Sequence, residues 1–296
     1  KKKLYDYQKK TINWLYNIEK KEHKYYVNED NYDNEINMGN IFYDPINKKF
    51  KSNFDKLLLN FTGGALIDEV GLGKTIECIM LSIINKKQIS EKDKNLDSKA
   101  TLIICPNQLC GQWAREFSNF LNIKNLKIIS ILTKVHFEKY SYSDLINSDF
   151  VIVSFSFLDN ACFINEFIGS NYNKKYFGSC NYDYNLINNL VNQKINFYNK
   201  EENILELGNK KALLPIIKWH RVIIDEFHEI TSVSKYSYME NLINHFRSKY
   251  KWCITGTPFN NEYFHTMLKM INFTTNTKTK EYAYLLNPSI INHMNN

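Results

Sequence analysis

Residues 68–75, which read DEVGLGKT, carry the residue types that a phosphate-binding loop needs. Gly71 and Gly73 allow backbone N–H groups to curl around phosphate oxygens, and the start of a helix adds the positive end of its dipole. Lys74 can reach the β and γ phosphates, and the hydroxyl of Thr75 can ligate magnesium. The segment follows an apolar run and precedes a helical pattern, so the sequence predicts a nucleotide-binding loop here.

A second segment, residues 222–228, ends an apolar run with the adjacent carboxylates Asp225 and Glu226. An aspartate at the carboxyl end of a strand can hold the magnesium that bridges two phosphates, while a neighbouring glutamate can deprotonate the attacking water. In isolation, the pair would more simply be two solvated carboxylates that cap a strand. Together with the phosphate loop, the pair predicts a nucleoside triphosphatase in which Lys74, Asp225 and Glu226 are catalytic.

Short apolar runs alternate with helical patterns along the chain. Runs that are apolar throughout are typical of central strands that helices cover on both faces. This alternation predicts an α/β fold with one doubly wound parallel sheet. The predicted strands are residues 65–68, 101–105, 127–132, 150–154, 221–225 and 252–255, and the predicted helices are residues 76–84, 109–121, 239–246 and 262–271.

Two segments near residues 20–56 and 160–209 interrupt this alternation and are rich in Asn, Lys and Tyr. Their weak periodicity predicts two insertions. The same compositional bias runs through the whole chain and indicates an AT-rich genome rather than an adhesive segment. We therefore predict one lobe over residues 1–275 that carries both insertions, followed by a tail or linker over residues 276–296.

Composition restricts the class of protein. The chain has 296 residues, 44% of them hydrophobic, which is ample for a folded core. Its 38 basic and 31 acidic residues give a net charge of +7, which is compatible with binding a phosphate backbone and equally with a solvated, lysine-rich surface. No apolar stretch reaches the roughly 18 residues of a membrane helix. Six cysteines without a CxxC pair predict a reducing compartment and no structural zinc.

The order of these motifs resembles the Snf2-type branch of the superfamily 2 helicase-like ATPases. In that family an aspartate is usual at the position of Asp68, where other phosphate loops have glycine, and Phe227 stands where alanine or glycine is commoner. The matching segments are residues 4–8 with Trp14 and Leu15 for the adenine-contacting element, residues 102–116 for motif Ia, residues 151–155 for motif Ib, residues 219–228 for motif II and residues 254–261 for motif III.

The resemblance implies a RecA-like lobe that binds ATP and Mg²⁺ and belongs to an ATPase that moves on double-stranded DNA. It implies a nucleotide site made of Gln8, Gly71, Leu72, Gly73, Lys74 and Thr75, with Thr75 and Asp225 as magnesium ligands. It also implies coupling residues, which are His228, Thr255, Gly256 and Thr257, and residues that face nucleic acid, which are Pro106, Asn107, Gln112 and Ser154.

The resemblance further implies a partner lobe. No segment after Phe273 resembles the second RecA-like lobe, which in this family supplies the arginine fingers, and the chain contains only Arg115, Arg221 and Arg247. An arginine finger contributes roughly 10³ to 10⁵ in rate, so we expect weak hydrolysis by this lobe alone and a second lobe in a longer protein. The expected location is intracellular, with the nucleus, a viral factory and the cytoplasm all open.

Other interpretations stay open at this point. A strand-separating superfamily 2 helicase acting on DNA or RNA, or the motor subunit of a restriction system, would share the phosphate loop and the two carboxylates. A nucleotide-gated scaffold would bind without hydrolysis. His228 could be a general base instead of a coupling residue. Trp113 could stack on a base, although the helical pattern groups it with Leu109 and Phe117, which favours a core position.

Overall fold

The computed structural model describes residues 3–27, 42–44, 49–51, 57–88, 95–121, 125–160, 184–200, 203, 213–231, 237–256 and 263–275. None of the helices in these ranges is long and apolar enough to cross a membrane. In chain order the elements are α1 (Asp6–Lys20), β1 (His23–Val27), β2 (Phe42–Asp44), β3 (Lys49–Lys51), β4 (Leu57–Phe61), β5 (Gly63–Ile67), α2 (Lys74–Ile84), β6 (Thr101–Cys105), α3 (Asn107–Phe120), β7 (Ile128–Ile131), α4 (Lys134–Phe137), α5 (Tyr142–Ile146), β8 (Phe150–Ser154), α6 (Phe155–Leu158), α7 (Tyr184–Tyr198), β9 (Lys218–Ile224), α8 (Phe227–Thr231), α9 (Ser237–Leu242), β10 (Arg247–Thr255) and α10 (Tyr263–Thr275).

A central sheet of six strands, in the order β5-β10-β9-β6-β8-β7, organises the chain. Every neighbouring pair in it is parallel. All six predicted strands lie in this sheet, so the predicted α/β class is confirmed. Two of them, β9 and β10, begin at Lys218 and Arg247, before their apolar runs, because their polar first residues also pair with each other.

Side chains at alternate positions of the strands enter two separate cores. On one face, Ile103 and Ile223 pack with residues of α1, α2 and α3. On the other face, Leu102 and Val222 pack with residues of α4 to α10. Helices therefore cover both faces of the sheet, which explains why its strands are apolar at successive positions.

The two predicted insertions contain elements that the sequence did not indicate. In the first, β2 pairs antiparallel with β3, and β1 pairs antiparallel with β4, which directly follows this insertion. In the second, α7 buries Ile187, Val191, Ile195 and Tyr198 in the core beside the sheet. These positions recur every three or four residues, but the asparagines between them weaken the apolar pattern. The predicted tail, residues 276–296, lies outside the described residues.

Helix α1, which the sequence did not predict as a helix, is anchored by a buried ion pair between Glu19 and Arg221. Both side chains are fully buried. Arg221 Nε donates to Glu19 Oε1 at 2.6 Å, and Arg221 Nη2 donates to Glu19 Oε2. Trp252 Nε1 and Asn85 Nδ2 also donate to this carboxylate, at 2.9 and 2.7 Å. Because every group in the pair is satisfied, α1 is held firmly against β9 and β10.

Glu19→Ala should destabilise the chain by about 3–5 kcal/mol, because Arg221 would stay buried without its counter-charge. Urea unfolding followed by circular dichroism measures this loss. Asp6→Ala is the matched control on the same helix, since the ion pair of Asp6 with Lys9 is exposed to solvent and should leave the unfolding midpoint unchanged. Equal midpoints for the two variants would contradict the anchoring role of Glu19.

Candidate nucleotide site

A cavity of about 740 Å³ lies at the carboxyl edge of the sheet, where β5 and β9 end. This size is typical of a small-ligand site. The first turn of α1, the loop between β5 and α2, the outer side of α3 and the turn after β9 form its walls. The lining residues are Lys3, Leu4, Tyr5, Gln8, Val70, Gly71, Gly73, Lys74, Thr75, Ile76, Leu109, Gln112, Glu116, Phe120, Asp225 and Glu226.

The loop between β5 and α2 has the backbone conformation that the sequence predicted. Gly71 and Gly73 have φ angles of 92° and 96°, in the left-handed region that favours glycine. A Cβ atom on Gly73 would also clash with the amide nitrogen of Gln8. Helix α2 starts directly after Gly73, so its free N–H groups and the loop N–H groups lie at the same cavity wall, as an anion site requires.

The ammonium group of Lys74 is folded onto this loop. Its Nζ donates to the carbonyl oxygens of Asp68 at 2.7 Å and Glu69 at 2.9 Å. Gly256 lies beside it, since a Cβ on that residue would be 3.5 Å from Lys74 Nζ. The lysine is thus held at the cavity wall by neutral carbonyl groups, and an anionic phosphate would be a stronger partner than either.

The first turn of α1 is joined to the same loop. Gln8 Nε2 and the hydroxyl of Tyr7 both donate to the carbonyl oxygen of Leu72, at 3.0 and 2.9 Å. Gln8 Oε1 accepts from the backbone N–H of Tyr5 at 3.0 Å. Gln8 therefore lies at the cavity, with its amide connecting α1 to the loop between β5 and α2. Tyr7, which the sequence analysis did not single out, makes the same connection.

Asp225 follows β9 and is buried, with 5% of its surface exposed. Its Oδ2 accepts from Trp113 Nε1 at 2.8 Å, and its Oδ1 accepts from the backbone N–H of Glu226 at 3.0 Å. Burial raises the pKa of this carboxyl to about 6; the charge of Glu226 adds to the rise and the Trp113 hydrogen bond opposes it. Trp113 is a core residue, as favoured above, but it also contacts the site.

Glu226 has a φ angle of 50°, and it is the one non-glycine residue with positive φ in the described part of the chain. Such a conformation costs free energy and is concentrated at functional sites. Its Oε2 lies 3.3 Å from Nδ1 of His228, which shares a 2.8 Å hydrogen bond with the hydroxyl of Thr255. His228 thus connects the turn after β9 to the end of β10. Thr257, the remaining predicted coupling residue, lies outside the described residues.

The residues predicted to face nucleic acid do not all lie together. Asn107 is exposed and shares hydrogen bonds with Ser156, which the sequence analysis did not name. Pro106 and Ser154 are buried, and the hydroxyl of Ser154 accepts from the N–H of Phe157 and donates to a carbonyl oxygen. Gln112 is exposed and lines the nucleotide cavity instead.

The donor set fits a magnesium ion held partly by phosphates. The described residues contain no cluster of three His, Cys, Asp or Glu side chains that could hold a metal ion alone. Mg²⁺ is commonly bound through one or two protein oxygens together with substrate phosphates. Thr75 and Asp225 line one cavity and supply a hydroxyl and a carboxylate, so they fit an ion of this kind.

Several known proteins are similar in sequence to this chain. The family described as SNF2-related domain matches residues 7–292. The "Uncharacterized ATP-dependent helicase IRC20" of Saccharomyces cerevisiae is 24% identical over 220 residues, covering 69% of this chain and 12% of that protein. The "DNA repair protein RAD5" of Debaryomyces hansenii is 28% identical over 210 residues, covering 66% of this chain and 14% of that protein.

A viral protein and a solved structure are also similar to this chain. The "Putative helicase 172L" of Invertebrate iridescent virus 6 is 27% identical over 207 residues, covering 67% of this chain and 30% of that protein. This chain therefore spans less than a third of each of these three relatives. The structure of the "Sulfolobus solfataricus SWI2/SNF2 ATPase core in complex with dsDNA" covers 93% of this chain and 36% of its own chain, with 18% identity and a TM-score of 0.49.

The raised pKa of Asp225 predicts a pH-dependent loss of stability. Between the ordinary pKa of 3.8 and about 6, the folded state holds a proton that the unfolded state has released, so stability falls as pH rises through this window. Relative to Asp225→Asn in metal-free buffer, the parent chain should lose up to about 3 kcal/mol between pH 3.5 and pH 7. Denaturant unfolding at several pH values measures the difference.

Asp144→Asn is the control with the opposite sign. The hydrogen bond from Lys127 holds the pKa of Asp144 below its ordinary value. This carboxylate therefore contributes stability above pH 4 and loses it on acidification, so here the parent should gain on the variant as pH rises. A parallel pH response of parent and Asp225→Asn would contradict the buried, raised state of Asp225.

Proposed function

Because the chain belongs to the SNF2-related domain family, we propose that it is the ATP-binding lobe of a DNA-dependent ATPase that moves on double-stranded DNA. Membership agrees with the resemblance noted in the sequence. The observation that carries the proposal is a single cavity that brings together the phosphate loop, the first turn of α1 and the adjacent carboxylates Asp225 and Glu226. Those are the groups that nucleotide binding and phosphoryl transfer to water require.

Nucleotide recognition is assigned to two walls of the cavity. The loop N–H groups around Gly71 and Gly73 and the ammonium group of Lys74 receive the phosphates. Tyr5, whose exposed ring is stacked on Tyr7, and Gln8 lie on the other wall and are suited to a flat base. Through Leu72, the phosphate wall and the base wall are held at a fixed separation, so one ligand can meet both.

Water activation is assigned to Glu226. Thr75 and Asp225 would hold Mg²⁺, which when bound neutralises phosphate charge and orients the phosphates. The left-handed backbone of Glu226 turns its side chain away from the line of β9 and toward the cavity edge. Its carboxylate can accept a proton from water, and His228 lies beside it to hold its orientation.

The proposal includes a second lobe that supplies an arginine. No arginine lines the cavity, and all three arginines of the chain lie in the described residues. Arg221 is paired with Glu19, and Arg247 Nη1 donates to the carbonyl oxygen of Ile216. Neither can turn to the phosphates without breaking these contacts. Arg115 belongs to α3 but not to the part of it that lines the cavity.

Double-stranded DNA is the proposed track. The relatives named as a DNA repair protein and as helicases support nucleic acid as the partner. On this chain, the exposed pair Asn107 and Ser156 offers polar groups beyond the ends of β6 and β8. Three arginines leave little capacity for bidentate recognition of guanine, so the contact is expected to involve phosphates more than base edges.

Lys74→Ala should weaken the binding of Mg²⁺·ADP by about 10- to 100-fold, which corresponds to the ~1.5–3 kcal/mol of a charge-assisted hydrogen bond. Isothermal titration calorimetry measures the affinity. Lys134→Ala is the control, because this lysine is exposed and pairs only loosely with Glu138 at 3.7 Å. If Lys74→Ala bound the nucleotide like the parent, the phosphate-loop assignment would fail.

Glu226→Gln should separate binding from turnover in the longer protein. The amide keeps the size of the side chain but removes the base, so ATP affinity should persist while turnover falls by roughly 10² to 10⁴. Steady-state hydrolysis with and without duplex DNA is the measurement, and the parent should be stimulated by the duplex. Parental turnover by Glu226→Gln would exclude the general base, and a parent indifferent to duplex DNA would exclude the proposed track.

A further inference from the structure

Trp113 lies behind the cavity wall and is joined to Asp225 by a buried hydrogen bond of 2.8 Å. We propose that Trp113 is a positioning residue that fixes the carboxylate of Asp225 in the orientation needed to bind a divalent cation. The inference rests on the proposed function, in which Asp225 is a magnesium ligand. It assigns a specific task to a side chain that does not itself line the cavity.

The carboxylate of Asp225 is held from two sides. Oδ1 accepts from the N–H of the next residue, Glu226, and Oδ2 accepts from Trp113. The first contact is local and comes with the turn after β9, whereas the second crosses 112 positions of sequence. With both donors in place the side chain has one orientation, and each oxygen keeps acceptor capacity for a further partner on the cavity side.

An indole is well suited to this task. Its N–H group is a donor only, so it cannot compete for the cation, and its ring has few rotatable bonds. Trp113 is 1% exposed and packs with Phe117 and Cys110 in the core beneath α3, which prevents the ring from turning. Orientation of a metal ligand by a buried partner of this kind is a general requirement for affinity.

Two other buried tryptophans donate to residues outside the cavity, so the hydrogen bond of Trp113 to a cavity residue is specific to this site. Trp219 Nε1 donates to the carbonyl oxygen of Leu214 at 3.0 Å, and Trp252 Nε1 donates to Glu19. Each is 1% exposed, like Trp113. All three therefore satisfy their N–H group, but only Trp113 does so on a residue of the cavity. Trp219 thus provides a matched control for the loss of one buried indole.

Trp113→Phe in the 296-residue chain should raise the Mg²⁺ concentration needed for half-maximal enhancement of ADP binding by about 10-fold or more. ADP affinity measured in EDTA should stay at the parental value, because the phosphate loop is untouched. Fluorescence of a labelled ADP, titrated at a series of Mg²⁺ concentrations, gives both quantities without hydrolysis. Trp219→Phe should lose stability in a similar way and keep the parental Mg²⁺ dependence.

A second variant covers the case in which Trp113→Phe does not fold. Replacing Trp113 by benzothienylalanine keeps the shape of the ring and removes only the N–H group, and the same shift in Mg²⁺ dependence is expected. A parental Mg²⁺ midpoint in the folded variant, or an equal shift in Trp219→Phe, would overturn the inference. A parent chain that binds no ADP, or binds it without regard to Mg²⁺, would instead sink the proposed function.

Discussion

Burying the carboxylate of Asp225 costs free energy, and the arrangement around the cavity reflects how that cost is met. Burial raises the pKa of Asp225 to about 6 in spite of two hydrogen bonds to it, and the neighbouring charge of Glu226 adds to the penalty. Burial likewise raises the pKa of Glu77, in the first turn of α2, to about 7. Two buried acids near one edge of the sheet lower the stability of the unliganded fold, and such a cost is typical of functional sites.

The strained backbone of Glu226 is a second free-energy cost at the same site. A positive φ at a non-glycine residue costs of order 1–3 kcal/mol, and it persists only where the surroundings determine it. Here β9 lies between β10 and β6, and the N–H group of Glu226 is fixed by Asp225 Oδ1. Relaxing the turn would release that hydrogen bond and leave the buried carboxyl with one donor fewer. The two acids therefore depend on each other for their positions, although their proposed tasks differ.

Local sequence patterns were sufficient to predict the sheet and the need for glycine in the loop between β5 and α2. Strands such as β6 and β8 are short apolar runs, and a loop such as that of Gly71 and Gly73 needs glycine for its φ angles, so both leave a signal within a few residues. The contacts that hold the site together leave no such signal. Glu19 and Arg221 are 202 positions apart, and no local pattern relates one to the other.

The same limit applies to Trp113 and to α7. An apolar helix face explained why Trp113 is buried, but the acceptor of its N–H group depends on where α3 crosses the end of β9, which is a property of the assembled sheet. In α7 the buried positions are separated by asparagines, which lower the apolar contrast that helix prediction uses. In both cases tertiary packing determines where the side chains lie, and a single sequence does not reveal that packing.

Helix α3 contributes residues to both the proposed DNA contact and the proposed nucleotide site. Its first residue, Asn107, is exposed beside Ser156, where we propose that DNA is bound, and Trp113 lies six positions further along the same helix. That indole donates to Asp225, so the same helix contacts the buried carboxylate as well as the exposed pair. The proposed DNA contact and the proposed nucleotide site thus share one structural element, which is α3.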